Sequence, residues 1–372
     1  MAIAVLGYGK IGRAIVKDLE NSMPSEEIAV FDPYAKETGK GNLRVKRVDP
    51  LSPDTFRHIA ESDLVMAALP AEQRPALIGL TLRYGARVVD VTFGNDDPFS
   101  QQATGNRKSL YIPDCGLAPG LSNMAAGYFH SVMDETEDLK IYVGGIPERP
   151  VPPLDYVITF ASQSVIDEYV NSVTWVSGGQ VRVDPALSGT EEFHLSGFPF
   201  ALEAFLTDGL RTLLRNVRVK NTMFEKTIRY MGHSDKVMLL RDLGFFSSDA
   251  VDVAGYRVRP RDLTAALFDS KLRAQGVRDM IILRVTATGT SGGRRVHRGM
   301  EMIHVHRKDD GLTSMSVTTA APACAVAELL LGEDLDLHGV VCPEELAMKA
   351  GVFGKVAGAL RRRGIELSFS ES

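Results

Sequence analysis

Residues 2–32 leave the start of this chain little architectural freedom. Met1 opens directly into the apolar run Ala2-Ile3-Ala4-Val5-Leu6, and Gly7-Tyr8-Gly9-Lys10-Ile11-Gly12 follows. Asp32 stands twenty positions after Gly12, at the end of Ile28-Ala29-Val30-Phe31. A GxGxxG string alone is a weak signal; set between an apolar strand and a helix, with an acid closing the next strand, it specifies a dinucleotide-binding turn. Gly7 permits the tight turn, Gly9 lets a pyrophosphate approach the backbone, and Gly12 lets helix and strand pack closely. A helix from about Gly9 to Leu19, opening at Lys10 and Ile11, points its free N–H groups and positive dipole end at the pyrophosphate. Asp32 is expected to accept hydrogen bonds from the ribose hydroxyls and to repel a 2′-phosphate, which favours NAD over NADP. The alternative is a glycine turn that holds no ligand.

At 372 residues the chain exceeds the usual size of a single core, so two domains are expected. The net charge of −5 gives no reason to expect nucleic acid or an anionic membrane as partner. Cys115, Cys324 and Cys342 are widely spaced and form no CxxC or Cys/His ligand set, which argues for a reducing, cytoplasmic setting and against structural zinc. The apolar N-terminus reads as a strand and not a secretory signal, having no basic leader or cleavage site. No uncharged apolar run reaches membrane-spanning length.

The fold class expected is α/β, with an N-terminal Rossmann-type parallel sheet and an α+β substrate domain built on a mixed or antiparallel sheet. In the first part, strands at Ile3-Leu6, Ile28-Phe31, Arg44-Val48, Leu64-Ala68, Arg87-Val91 and Ser109-Ile112 alternate with helices near Ile11-Leu19, Pro53-Ile59 and Pro75-Tyr84, and a short piece around Asp97-Thr104. Short apolar strands separated by helices indicate a parallel sheet covered on both faces. Ser52-Pro53 reads as a cap followed by an N1 proline. Beyond Gly116 a helix is expected at Ser122-Val132. Strands follow at Lys140-Val143, Tyr156-Phe160, Val181-Val183, Lys226-Arg229, Met280-Ala287 and Glu301-Arg307, with helices near Val165-Tyr169, Ala201-Leu206, Lys236-Leu243 and Leu263-Gln275. Helices at Ala321-Leu331 and Pro343-Arg362 are expected to return to the first domain. The division is therefore 1–118, 119–320 and 321–372.

Several residues stand where chemistry is expected. Ala68, Leu69 and Pro70 close a strand on the ligand-facing edge, where small side chains admit the nicotinamide ribose; an ordinary strand-to-loop transition explains them equally well. Asp90 and Asp114 fall on the same edge. Asp114 lies in Pro113-Asp114-Cys115-Gly116-Leu117-Ala118-Pro119-Gly120, a stiff backbone able to hold a carboxylate near the nicotinamide, although a turn-forming aspartate is the plain alternative. Cys115 reads as a buried small residue and not a nucleophile. In the second domain the densest polar run is Lys226-Thr227-Ile228-Arg229-Tyr230-Met231-Gly232-His233-Ser234-Asp235-Lys236. Arg229 suits bidentate capture of a substrate carboxylate. His233 suits proton transfer near neutrality. A solvent-facing turn is the competing account of both. His304 and His306 share one strand face but find no third ligand at metal spacing.

These segments together resemble the saccharopine dehydrogenase-like family. The resemblance runs from Ala4-Val5-Leu6-Gly7-Tyr8-Gly9 to Gly339-Val340-Val341-Cys342-Pro343-Glu344. Its best markers are the Pro113–Gly120 run, Tyr142-Val143-Gly144-Gly145-Ile146-Pro147 and Lys226–His233. The middle marker, followed by Pro152-Pro153-Leu154-Asp155-Tyr156, favours the lysine 6-dehydrogenase branch. The resemblance implies an N-terminal NAD(P) domain, an α/β substrate domain and last helices that return to the first. It places the pyrophosphate loop on Gly7, Gly9 and Gly12, the ribose acid on Asp32, an active-site carboxylate on Asp114, and the family's arginine and histidine on Arg229 and His233. Tyr142, in the branch marker, is expected to bind substrate. Two segments depart from the pattern: Leu206-Thr207-Asp208-Gly209-Leu210-Arg211 is more charged, and Thr92-Phe93-Gly94-Asn95-Asp96-Asp97 more acidic and less glycine-rich. Asp96, Asp97 and Asp208 could favour a cationic substrate or simply face water.

The activity expected is NAD-dependent oxidative deamination of an amino acid's side-chain amine, that of L-lysine, giving ammonia, NADH and a semialdehyde that cyclises. The substrate is expected in the crevice between domains, with Asp114 or His233 managing protons and Arg229 anchoring the carboxylate. One rival is an oxidoreductase of a secondary amine, of the saccharopine or carboxynorspermidine type, which needs a second anion subsite; Arg149, Arg211 and Arg257 are candidates. The other is a non-catalytic NAD-binding regulator. A homo-oligomer, most simply a dimer, is expected because a second-domain sheet with alternating faces needs cover, with Val305 and Val317 among the contributors.

Overall fold

A computed structural model describes residues 1–94, 96–100, 108–159, 161–273 and 276–372. The chain divides into two compact units, residues 1–132 with 316–367, and residues 133–315 with 368–372.

The first unit is built on a sheet of eight strands among the described residues. In chain order its first seven are β1 (Ala2–Leu6), β2 (Glu27–Phe31), β3 (Thr38–Lys40), β4 (Leu43–Lys46), β5 (Leu64–Ala67), β6 (Arg87–Asp90) and β7 (Leu110–Ile112). The order β4-β2-β1-β5-β6-β7 is wholly parallel. This is the doubly wound arrangement, which reverses direction at the boundary between β1 and β5. Gly339–Val340 extends the sheet in parallel beyond β7, and β3 adds an antiparallel edge; neither strand was legible in the sequence. Ile3, Ala4, Val5 and Leu6 and all of β5 are fully buried, as expected for strands covered on both faces. Helix α1 (Lys10–Ser22) turns Gly12, Ala14, Ile15, Val16 and Leu19 inward. Helix α2 (Pro53–Ile59) begins on Ser52, whose hydroxyl accepts from the Thr55 amide, with Pro53 in the first turn. Helix α3 spans Arg74–Tyr84 and α4 spans Leu121–Ser131. The helix expected around Asp97-Thr104 falls partly outside the described residues.

The boundaries differ from those expected at 118 and 320. Helix α4 belongs to the first unit because Gly127 brings it against the returning segment: a Cβ there would stand 2.5 Å from the Glu344 carbonyl oxygen. Asn123 donates to Glu344, and the Tyr128 ring stacks on Phe353. Residues 368–372, expected with the first domain, instead pair with His297–Glu301 in the second unit. The expected helix over Pro343-Arg362 is two, Pro343–Met348 and Val352–Arg362, separated at Gly351, whose φ is +78°. Ser314–Gly332 is apolar and long enough by composition to cross a bilayer, but 67% of its apolar window is buried inside the protein, as in a core helix.

The second unit is a mixed sheet of nine strands among the described residues. Its centre is the strand Glu135–Pro147, parallel to Thr222–Tyr230 on one side and antiparallel to Asp279–Ser291 on the other. Two expectations fail here. Ala201-Leu206 is not a helix: Leu202–Leu206 is a fully buried strand paired with Glu191–Phe193 and Thr222–Tyr230. Leu, Glu and Ala favour a helix locally, but two flanking strands override that preference. The described part of the expected strand Tyr156-Phe160 is irregular, its amides donating to Val151 and Leu272 carbonyls while Tyr156 and Ile158 enter a core with Val165, Ile166 and Tyr169.

Candidate functional sites

In the first unit the expected cofactor residues gather at the carboxyl edge of the parallel sheet, around the reversal between β1 and β5. Gly7, with φ +90°, donates its amide to the Phe31 carbonyl, and a Cβ on it would lie 2.4 Å from the Ala68 oxygen. A Cβ on Gly12 would lie 2.0 Å from the Gly7 oxygen. Only glycine fits either place. At Gly9, where α1 begins, nothing lies within 4 Å of such an atom, so the turn is tight at its ends and open at its tip. Gly9 caps α1 without a side chain, and Lys10 and Ile11 form the first helical turn. Asp32 closes the arrangement by accepting from the Tyr8 amide at 2.7 Å and, on its other oxygen, from the amides of Tyr34 and Ala35. A carboxylate has about four acceptor sites, so three backbone bonds leave capacity for one more donor.

The next loops along this edge are joined by a polar network that the sequence did not disclose. Ala68 follows β5, donating its amide to the Leu6 carbonyl; the Leu69 amide donates to Thr92, and Pro70 leads through a short 3₁₀ turn into α3. Asp90 is fully buried, accepting from the Tyr111 hydroxyl at 2.5 Å and the Thr92 amide at 2.8 Å. Burial pushes the Asp90 carboxyl up to about 6, against the pull of nearby Arg74. Asp114 is also buried, with φ +51°. Its two oxygens accept from two nitrogens of Arg74, at 2.7 and 3.4 Å. Arg74 is itself fully buried; burial disfavours its charge, but Asp114 first, then Tyr111, Asp90 and Asp96, hold it firmly protonated. Asp96 stands 3.6 Å from Arg74 and is only partly exposed, whereas Asp97 faces water. Cys115 is buried with its thiol pushed well up, as suits a packing residue. In sequence Arg74 precedes Pro75 and reads as a helix start; only the fold reveals that its side chain points inward.

The second unit assigns Arg229 and His233 to its own interior. Arg229 pairs with Glu168 at 2.9 and 3.1 Å, donates to the Ile228 carbonyl, and lies over the Tyr156 ring at 4.5 Å. A guanidinium so engaged is not the open carboxylate clamp expected from sequence. His233 is fully buried; its Nδ1 lies 2.8 Å from the Leu154 carbonyl, to which it donates, and its Nε2 therefore accepts from the Tyr169 hydroxyl at 2.9 Å. Burial, with Arg229 nearby, pushes its pKa down to about 3. With both nitrogens bonded within the unit and the ring neutral, this geometry gives no support to the proton-transfer role expected of His233. Tyr142 is half-buried and donates to Glu191, which also pairs with Lys226 at 2.8 Å. Lys226 lines a cavity of about 240 Å³ with Trp175, Phe224 and Asp184, and Tyr142 meets the Phe224 ring edge-on. Among the described residues no group of three His, Cys, Asp or Glu is placed to hold a metal.

The chain is 24% identical over 236 residues to an alpha-aminoadipic semialdehyde synthase of Arabidopsis thaliana, covering 59% of this chain and 22% of that protein. It is 20% identical over 268 residues to saccharopine dehydrogenase [NADP(+), L-glutamate-forming] of Saccharomyces cerevisiae, covering 68% of this chain and 60% of that one. The chain thus spans less than two thirds of the length of either curated relative. Its fold is that of apo saccharopine dehydrogenase (L-Glu forming) from Saccharomyces cerevisiae, with a TM-score of 0.80 at 15% identity over 100% of this chain and 99% of the other. The family model described as the saccharopine dehydrogenase C-terminal domain matches residues 116–365, well over half of the chain, and the chain belongs to that family.

Proposed function

We propose that the protein is a nicotinamide-dinucleotide-dependent dehydrogenase that oxidises a carbon–nitrogen bond of an amino acid, with the side-chain amine of L-lysine as substrate and NAD as cofactor. The observation that carries this reading is the glycine turn: Gly7 and Gly12 sit where any Cβ collides with backbone, while the tip at Gly9 is open. That combination fits a pyrophosphate lying against the start of α1. Asp32 would take a ribose hydroxyl on its remaining acceptor site and oppose a 2′-phosphate by charge.

When bound, the dinucleotide supplies the hydride acceptor. This chain's residues hold and orient. Ala68 and Leu69 would lie along the cofactor by their backbone, and Asp114, held on both oxygens by Arg74, is the carboxylate at this edge that would manage protons on nitrogen and water. Loss of the substrate C–H electron pair as hydride would leave an iminium, and water would add to its carbon with release of a proton, which Asp114 would manage. The C–N bond then breaks, ammonia departs, and the remaining aldehyde can close on the α-amine. The relatives support a second reading, in which the bond oxidised belongs to a secondary amine such as saccharopine.

Dissociation constants for NAD and NADP, with dinucleotide reduction on L-lysine and on saccharopine, test the proposal. NAD is expected to bind more tightly than NADP. Asp32→Asn should weaken NAD by roughly 1–3 kcal/mol, the value of charge-assisted hydrogen bonds, and narrow the discrimination. A wild type that prefers NADP removes the role given to Asp32. Turnover of saccharopine but not lysine replaces the first reading with the second.

A further inference from the structure

We propose that Arg74 is a positioning residue for the reaction, its guanidinium fixing the Asp114 carboxylate at the carboxyl edge of the parallel sheet and locking it to the loop that follows β6. The inference rests on the dehydrogenase reading given above.

Three observations carry it. Arg74 has no exposed surface although it is the first residue of a helix, where an arginine ordinarily reaches solvent. Its fork meets both Asp114 oxygens, and the same nitrogen that bonds Asp114 at 2.7 Å lies 3.3 Å from the Thr92 carbonyl and 3.4 Å from that of Gly94. One side chain thus gathers the loop after β6 and the segment after β7. Asp114 also needs holding: its φ of +51° lies in the left-handed region, which a non-glycine residue adopts at a cost unless its surroundings enforce it. The amide of the next residue, Cys115, donates to the Asp90 carbonyl at 2.8 Å, so backbone and side chain are tied to the same loop.

A guanidinium is suited to this task and an ammonium is not. Arginine's planar donors meet a carboxylate on both oxygens and retain hydrogens for carbonyls in the same plane, whereas lysine supplies a point charge on a flexible stem. If Arg74 merely neutralised a buried aspartate, lysine would serve nearly as well. If it fixes an orientation, lysine keeps the charge and loses the geometry. The Arg74 bonds given above run to Asp114, Thr92 and Gly94 and not to the glycine turn at Gly7–Gly12, so dinucleotide affinity and turnover should separate.

The test uses full-length wild type, Arg74→Lys, Arg74→Met, Asp114→Asn and the Arg74→Met/Asp114→Asn double variant. NADH affinity is read by fluorescence, kcat and KM with L-lysine (and saccharopine as the second amine), and hydrogen exchange over the segment 114–120. Arg74→Lys should bind NADH within twofold of wild type, lose at least tenfold in kcat with a smaller change in KM, and exchange faster across 114–120. The double variant should lose no more kcat than Asp114→Asn alone, since Arg74 acts through that carboxylate. Arg74→Lys with wild-type kcat, or losses that multiply in the double variant, overturns the inference while leaving the dehydrogenase reading in place. A wild type that reduces no dinucleotide on either amine overturns both. If Arg74→Met fails to fold, Arg74→Lys alone decides.

Discussion

The two units each bury an arginine against a carboxylate, yet the two pairs occupy different kinds of place. Arg74 and Asp114 lie at the carboxyl edge of a parallel sheet, joined to loops that continue to Ala68 and the glycine turn. Arg229 and Glu168 lie between a strand and the helix Ser162–Val170, closed over by the rings of Tyr156 and Tyr169 and by His233. The first network ends at loops where a doubly wound sheet receives ligands, and the second ends in packed aromatic side chains. Similar residue types therefore take different places: under the proposed function the first pair sets a carboxylate for use, and the second holds a strand and a helix together. Polar density along a sequence does not separate these cases. What separates them is where each network ends in the fold.

The largest effect that could break this comparison concerns the second pair. Arg229→Met leaves Glu168 beside an apolar side chain and should cost about 3 kcal/mol of unfolding free energy, toward the lower end for stranding a buried charge because Glu168 is partly exposed. Chemical denaturation checks it, and a loss under about 1 kcal/mol means the pair is not a structural tie.

A smaller effect sharpens the same point through pH. Glu225 is buried in the same strand as Arg229, and burial, with Asp208 and Glu168 adding repulsion, raises its carboxyl to about 8. A raised folded value means the folded state holds the proton more tightly. Stability contributed by the neutral acid is therefore full below the ordinary value of about 4.5 and is lost as pH rises through about 8. Glu225→Gln should melt higher than wild type at pH 8–9 and lose that advantage below pH 5. An advantage independent of pH, or greatest in acid, contradicts the assignment.

The first unit was the more legible in sequence for a physical reason. Its strands are short, apolar and doubly covered, and its glycines are dictated by backbone contacts at Gly7 and Gly12, so local pattern and tertiary requirement coincide. The second unit's pattern misled at Leu202–Leu206, where pairing on both sides overrides helical preference, and at Tyr156–Thr159, where an apolar run fills a core without joining a sheet. Among site residues, the sequence located Asp90 and Asp114 on the correct edge but not Arg74, because inward direction at a helix start leaves no trace in composition. Arg229 and His233 were conspicuous by type, and their partners Glu168, Tyr169 and the Leu154 carbonyl are remote in the chain.

The central claim is that the chemistry belongs to the carboxyl edge of the first unit and that the His233 cluster is structural. The most direct test compares kcat for Asp114→Asn and His233→Gln with L-lysine and NAD at pH 8, each variant first shown to be folded. The account predicts a loss of at least a hundredfold in Asp114→Asn and a change within about fivefold in His233→Gln. A hundredfold loss in folded His233→Gln, beside near-normal turnover in Asp114→Asn, contradicts it.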